Sequence, residues 1–209
     1  MTRSTEELIA SLAADIAPVR RLQPPMTRAL VWIAAIAALA AIAVSLFSNL
    51  AAFVARASHP ALAMELAATL LTAVAAVIAA FHLSVPDRSR AWALLPLPPL
   101  AAWLLLSGSS CWRVWSTQGL GGGGGHCLLF IVGASLPTGA LLFWGLSRSR
   151  PISPGLTAIA GGLGVAAASA FILQFFHPFD VTAIDLALHL VAVALVVAIA
   201  STLGKRALA

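Results

Sequence analysis

Six stretches of the 209-residue chain run almost without charge for about twenty residues each: Ala29 to Leu50, Ala61 to Leu83, Ala91 to Ser107, Cys127 to Leu146, Ile152 to Phe176 and Val181 to Leu203. A helix needs roughly 20 apolar residues to cross the hydrocarbon, so each run is long enough for one crossing. None alternates with a period of two, and runs of this length exceed what a transmembrane strand needs. The expectation is an all-α polytopic membrane protein with six transmembrane helices and short loops. Composition removes a water-soluble fold. Hydrophobic residues make up 61% of the chain and charged residues 9%, against roughly 25% charge in a soluble domain that must cover its surface with polar groups.

The few charges then become topology signals. With the N-terminus in the cytoplasm, Arg3, Arg20, Arg21, Arg28, Arg88, Arg90, Arg148, Arg150, Lys205 and Arg206 lie inside and only Arg56 and Arg113 outside. The positive-inside rule favours this N-in/C-in arrangement. It divides the chain into a cytoplasmic tail (1–28), a six-helix transmembrane domain (29–204) and a short cytoplasmic C-terminus (205–209). The net charge of +5 does not imply nucleic acid, because no basic stripe interleaved with aromatics accompanies it. The opening MTRSTEELIASLAADIAPVRRLQPP places acids and two adjacent prolines before any long apolar run. A cleavable signal peptide lacks those features, so the tail is expected to stay on the protein.

Two spans carry special residues. Pro96, Pro98 and Pro99 fall in the third, where they are expected to kink or break the helix. Gly155, Gly161, Gly162 and Gly164 in the fifth permit close helix approach. The longest loop, Gly108 to His126, contains five consecutive glycines from Gly121 to Gly125. Such a run is expected to be mobile, and without a following Lys-Ser or Lys-Thr it is no phosphate loop. The tryptophans Trp32, Trp92, Trp112, Trp115 and Trp144 fall near span ends, as interfacial anchors do, and Trp103 lies deeper.

The tail has its own pattern. Ser4 or Thr5 can cap a helix whose first turn holds Glu6 and Glu7, and Leu8, Leu12 and Ile16 recur on one face before Pro18 ends it. About a dozen residues make a helix that is marginal alone in water, so its apolar stripe needs a membrane surface or a protein. Glu6, Glu7 and Asp15 oppose binding to anionic headgroups, which leaves both readings open.

The stretch LIASLAADIAPVRRLQPP followed by six spans, the segment CLLFIVGASLP in span four and the turn FILQFFHPFD after span five resemble the NrsF-type negative regulators of sigma F. These are bacterial inner-membrane anti-sigma factors, and the resemblance extends over essentially the whole chain. It implies a tail that holds a sigma factor of the extracytoplasmic-function type and releases it under heavy-metal or oxidative stress. Leu8, Leu12, Ile16 and Pro18, with Arg20 and Arg21 near the headgroups, are the expected partner-binding residues.

Thiols and most potential ligands share the outer side: Cys111, Cys127, His59, Glu65, His126, His177, Asp180 and Asp185, with His189 two turns deeper. Members of the resembling family carry one cysteine in span four and another before a proline after span five. Cys127 matches the first, but His177, before Pro178, stands at the second, so that pair cannot form a disulfide here. Thiolate and imidazole still suit copper or zinc, with His126, His189 or Asp180 as further ligands. Cys111 and Cys127 can instead pair across 15 intervening residues, worth roughly 3 kcal/mol of chain entropy, or serve as small apolar groups at helix ends. Asp185 and His189, four apart, can touch on one helix face. No constellation for catalysis is visible, so an enzyme is not expected. A small transporter or channel for a metal ion or solute remains the rival, supported loosely by Glu65 and the prolines of span three.

Overall fold

The computed structural model describes residues 4–14, 21–119, 126–176 and 182–207. Among them the regular structure is helical throughout: α1 (Thr5–Ala14), α2 (Pro25–Phe47), α3 (Leu50–Ala57), α4 (Pro60–Leu83), a 3-10 turn (Arg90–Leu94), α5 (Leu97–Gln118), α6 (His126–Ser147), α7 (Pro154–Leu173) and α8 (Ala183–Ala207). The six long helices α2 and α4 to α8 are each long and apolar enough to cross a membrane. Six crossings return the chain to the side on which it starts. We call that the tail side and the opposite one the far side.

Local signals set the helix ends. Pro25, Pro60 and Pro154 occupy the first position of α2, α4 and α7, where the missing N–H costs nothing because no acceptor exists there. The prolines of the third span act in the same way. Pro96 caps α5 and Pro98 and Pro99 lie in its first turn, so the span breaks at Leu95 and Pro96, between the 3-10 turn and α5, as the prolines lead one to expect. The span begins where expected, at Arg90, but α5 continues to Gln118, which places Gly108 and Cys111 inside a helix. The glycine run 121–125 lies outside the described residues.

α4 and α7 form the centre, with 67% of the most apolar stretch of each buried, against 17% for α2 and α5. In α7 the glycines do the work of approach. A Cβ on Gly164 would stand 2.7 Å from Val77 Cγ2 and 3.1 Å from the Val77 backbone nitrogen of α4, and one on Gly162 would stand 2.7 Å from Ala200 Cβ of α8. Thus α7 presses one glycine against each neighbour. Phe81, Ile131, Leu142 and Leu146 fill the remaining volume. Outside this centre α2 packs mainly on α4, with a smaller contact to α6.

One helix was not anticipated. α3, eight residues between the first two crossings, is capped by Asn49, whose Oδ1 accepts from the Ala52 N–H. It stacks Phe53 on Phe175 at 4.2 Å between ring centroids. Its apolar content merges with the preceding run in the sequence, which is why no separate element is legible there.

The central contact yields a prediction. Ala exceeds Gly in a helix by about 0.5–1 kcal/mol, but overpacking costs about 1–3 kcal/mol. Gly164→Ala should therefore lower unfolding free energy in detergent. Gly133→Ala, where an added Cβ meets nothing within 4 Å, should leave it equal or higher. Equal stability of the two variants would contradict the close contact.

Candidate functional site

At the far side, buried polar side chains from four helices converge. Glu65 of α4 is 5% exposed and accepts a 2.5 Å hydrogen bond from the Ser107 hydroxyl of α5. These two line a cavity of about 10 Å³ with Trp103, Gln174, Leu186 and His189. Asp185 organises the neighbouring half. Its Oδ2 accepts from the Thr182 N–H and hydroxyl, and its own N–H donates to Thr182 Oγ1. This reciprocal box satisfies first-turn groups of α8 and aims Oδ1 at Cys127, whose thiol donates to it at 3.9 Å.

His189 is held differently from expectation. Its Nδ1 lies 2.7 Å from the backbone oxygen of Asp185, not from the carboxylate. A carbonyl only accepts, so Nδ1 is the donor in this bond. Arg56 of α3 closes the rim by donating to the Gln174 oxygen at 2.9 Å.

The structure thus joins Cys127, Asp185 and His189 in one region with Glu65 and Ser107. It leaves His126 exposed at the start of α6, and His177 and Asp180 lie outside the described residues. Among the described residues no three His, Cys, Asp or Glu side chains gather as metal ligands. The Cys111–Cys127 bridge is not formed. Cys111 is held within α5, whereas Cys127 is buried against Asp185 of α8.

The tail side has a cluster that charge counting treated only as a topology signal. Arg28, 9% exposed, donates to the Gly145 oxygen at 2.5 Å, to Ser149 Oγ at 3.1 Å and to Ser84 Oγ at 3.5 Å, and its guanidinium lies over the Phe81 ring. Gly145 O is among the last carbonyls of α6, which lack in-helix donors, so Arg28 caps α6 from another helix. Trp32 is also more than an interfacial anchor: it is buried, and its indole N–H donates to the Thr138 oxygen at 3.2 Å. His82 is buried and stacks on Trp92 at 3.9 Å.

In the tail, Ser4 and Glu7 form a capping box. The Glu7 N–H donates to Ser4 Oγ, and the Ser4 N–H donates to Glu7 Oε2. No residue of α1 is buried, and Leu8, Ile9 and Leu12 are 46%, 61% and 60% exposed. Arg21 is also exposed, while Ile16, Pro18 and Arg20 lie outside the described residues.

A six-span helical bundle with polar side chains bonded between its helices, and with a short tail helix whose apolar residues are exposed, defines a polytopic membrane protein. The match to known families agrees with that class. The family described as NrsF, negative regulator of sigma F, matches residues 12–209, and the chain belongs to it. The family's description makes the role negative regulation of a sigma factor, which implies a sigma factor as partner and a non-enzymatic function. No curated protein and no solved structure matches the chain.

The far-side cluster is testable by itself. Interhelical hydrogen bonds in bilayers average about 0.6 kcal/mol and reach about 1.7 kcal/mol. A double-mutant cycle of Glu65→Leu and Ser107→Ala should give a coupling at the upper end of that range, since both partners are buried. A coupling of zero would mean that the bond does not hold α4 to α5.

Proposed function

We propose that the protein is an inner-membrane anti-sigma factor that sequesters a sigma factor of the extracytoplasmic-function type through its N-terminal tail. The observation that carries this reading is α1. It is a helix with its own capping box, yet its apolar residues Leu8, Ile9 and Leu12 are left exposed. A ten-residue helix is marginal alone in water, and one that leaves its apolar side chains exposed needs a surface to cover them. A groove on a protein partner recognises such a face through anchors one turn apart, and the acids Glu6 and Glu7 disfavour an anionic membrane surface. The topology consistent with this role puts the tail side in the cytoplasm, where the arginines gather.

Release is set from the far side, at Cys127. Its buried thiol faces the Asp185 carboxylate, so capture of a thiophilic metal such as copper or zinc, or attack by an oxidant, breaks a contact between α6 and α8. His177, His189, His126 and Asp180 are the groups that would complete a metal's ligand set. The signal must bind the holding and releasing states with different free energies, and loss of that contact supplies the difference.

Two variants test the two halves. Leu12→Asp should abolish co-purification of the sigma factor from membranes and derepress its promoters, with the bundle's unfolding unchanged. Undiminished co-purification would remove α1 from the interface. Cys127→Ser should keep repression but lose induction by cadmium, copper or peroxide. Full induction in that variant would place the sensor elsewhere.

A further inference from the structure

On the tail side, a cavity of about 90 Å³ opens where α4 ends and α7 begins, lined by Leu83, Val85, Pro86, Arg88, Arg90, Ile152 and Ser153. One wall is apolar and continuous with the ends of two spans, and the other carries two guanidinium groups. Arg88 and Arg90 make no side-chain hydrogen bond or ion pair with the described residues, although Asp87 is adjacent in sequence. Elsewhere at this end Arg28 is spent on three oxygens and Arg148 lies over the Trp144 ring. Ser153 stands at the cap position of α7, where its oxygen accepts no capping bond, and its hydroxyl can turn its O–H toward a ligand in the cavity.

The crevice is held in shape. Ser84 donates to the Phe81 oxygen and accepts from Arg28, while Trp92 stacks on His82 and fastens the 3-10 turn that begins at Arg90. The connection carrying both arginines is therefore pinned on each side of the cavity.

We infer that this cavity binds a phosphate monoanion or diester, the group shared by anionic phospholipid headgroups and free phosphate. Guanidinium pairs match phosphate oxygens in a forked geometry. The hydroxyl of Ser153 adds a third donor. The apolar wall of Leu83, Val85, Pro86 and Ile152 is suited to glycerol and the first acyl carbons of a lipid lying against α4 and α7. Nothing in this site depends on the sigma factor or on Cys127.

The test uses the full chain purified in a non-ionic detergent, with native mass spectrometry reading retained lipid. Phosphatidylglycerol should bind in preference to diacylglycerol, and the Arg88→Gln, Arg90→Gln double variant should weaken it by about 30-fold, as expected for two surface cations. Ser153→Asp, which puts a carboxylate into the cavity while both arginines remain, should weaken it as well. Arg148→Gln with Arg150→Gln should change it little. Inorganic phosphate at millimolar concentration separates the sources. Failure to displace the lipid assigns the site to headgroups, and full displacement assigns it to free phosphate. Equal lipid retention by the Arg88, Arg90 variant and the parent, or equal loss in the Arg148, Arg150 variant, would overturn the proposal.

Discussion

The close approach of α7 to α4 and α8 is the constraint on which the rest of the structure depends. Between helices in a bilayer no hydrophobic force operates, because lipid tails are as apolar as leucine, so association rests on dispersion and on interhelical hydrogen bonds. Dispersion falls off steeply with distance. Gly164 and Gly162 bring the α7 backbone to within van der Waals range of Val77 and Ala200. Once these three helices are fixed, both polar regions are fixed too. α4 carries Glu65 near one end and His82 and Ser84 at the other, and α8 carries Asp185 and His189.

Several polar groups inside the bundle reach a partner on another helix, whereas Thr69 and Thr72 bond back to the backbone of their own helix and the His82 ring is held by stacking alone. Glu65 meets Ser107, Cys127 meets Asp185, and Arg28 meets α4 and α6 together. An arginine in a membrane span costs about 2.5–3.5 kcal/mol at the midplane and less near an end. Arg28 sits in the first turn of α2, where the cost is lower, and its planar fork serves several oxygens at once. A lysine, with a compact ammonium, would satisfy fewer of them in fixed positions.

The number of spans and the tail helix were legible in the sequence because both rest on local patterns: run length, capping residues and apolar spacing. The glycines of α7 were legible as packing residues for the same reason. The break at the prolines of the third span was legible too, but its end was not: α5 runs on to Gln118, because Ser109, Ser110 and Arg113 lower the hydropathy of the last turns without breaking the helix. An apolar run does not mark where its helix ends. The roles of Arg28, Trp32 and Ser107 were not legible, since each depends on a contact more than 40 residues away in sequence. Asp185 and His189 do meet, but through the Asp185 backbone oxygen, while Thr182 and Cys127 engage the carboxylate.

These contacts also limit how a far-side event can reach the tail in the proposed switch. α4 and α7 are too tightly interlocked to slide without losing dispersion along their whole length. α2, which leads out of the tail, is mostly unburied and is held by side-chain donors, two of them ending on α6: Trp32 on the Thr138 oxygen and Arg28 on the Gly145 oxygen. Cys127 lies on the first turn of that same helix, 18 residues from Gly145 and so about 27 Å away along the axis. Between them stands Pro137, which removes the hydrogen bond to the Gly133 carbonyl and makes this the place where α6 bends most easily. Both oxygens that hold α2 are on the tail-side half of that bend. Two hydrogen bonds at about 0.5–1.5 kcal/mol each amount to the 1–3 kcal/mol typical of coupling between sites. In the proposed switch a bend in α6 that loosens both would change how the tail is presented while α2 keeps its packing on α4 and the α4–α7 core stays in place.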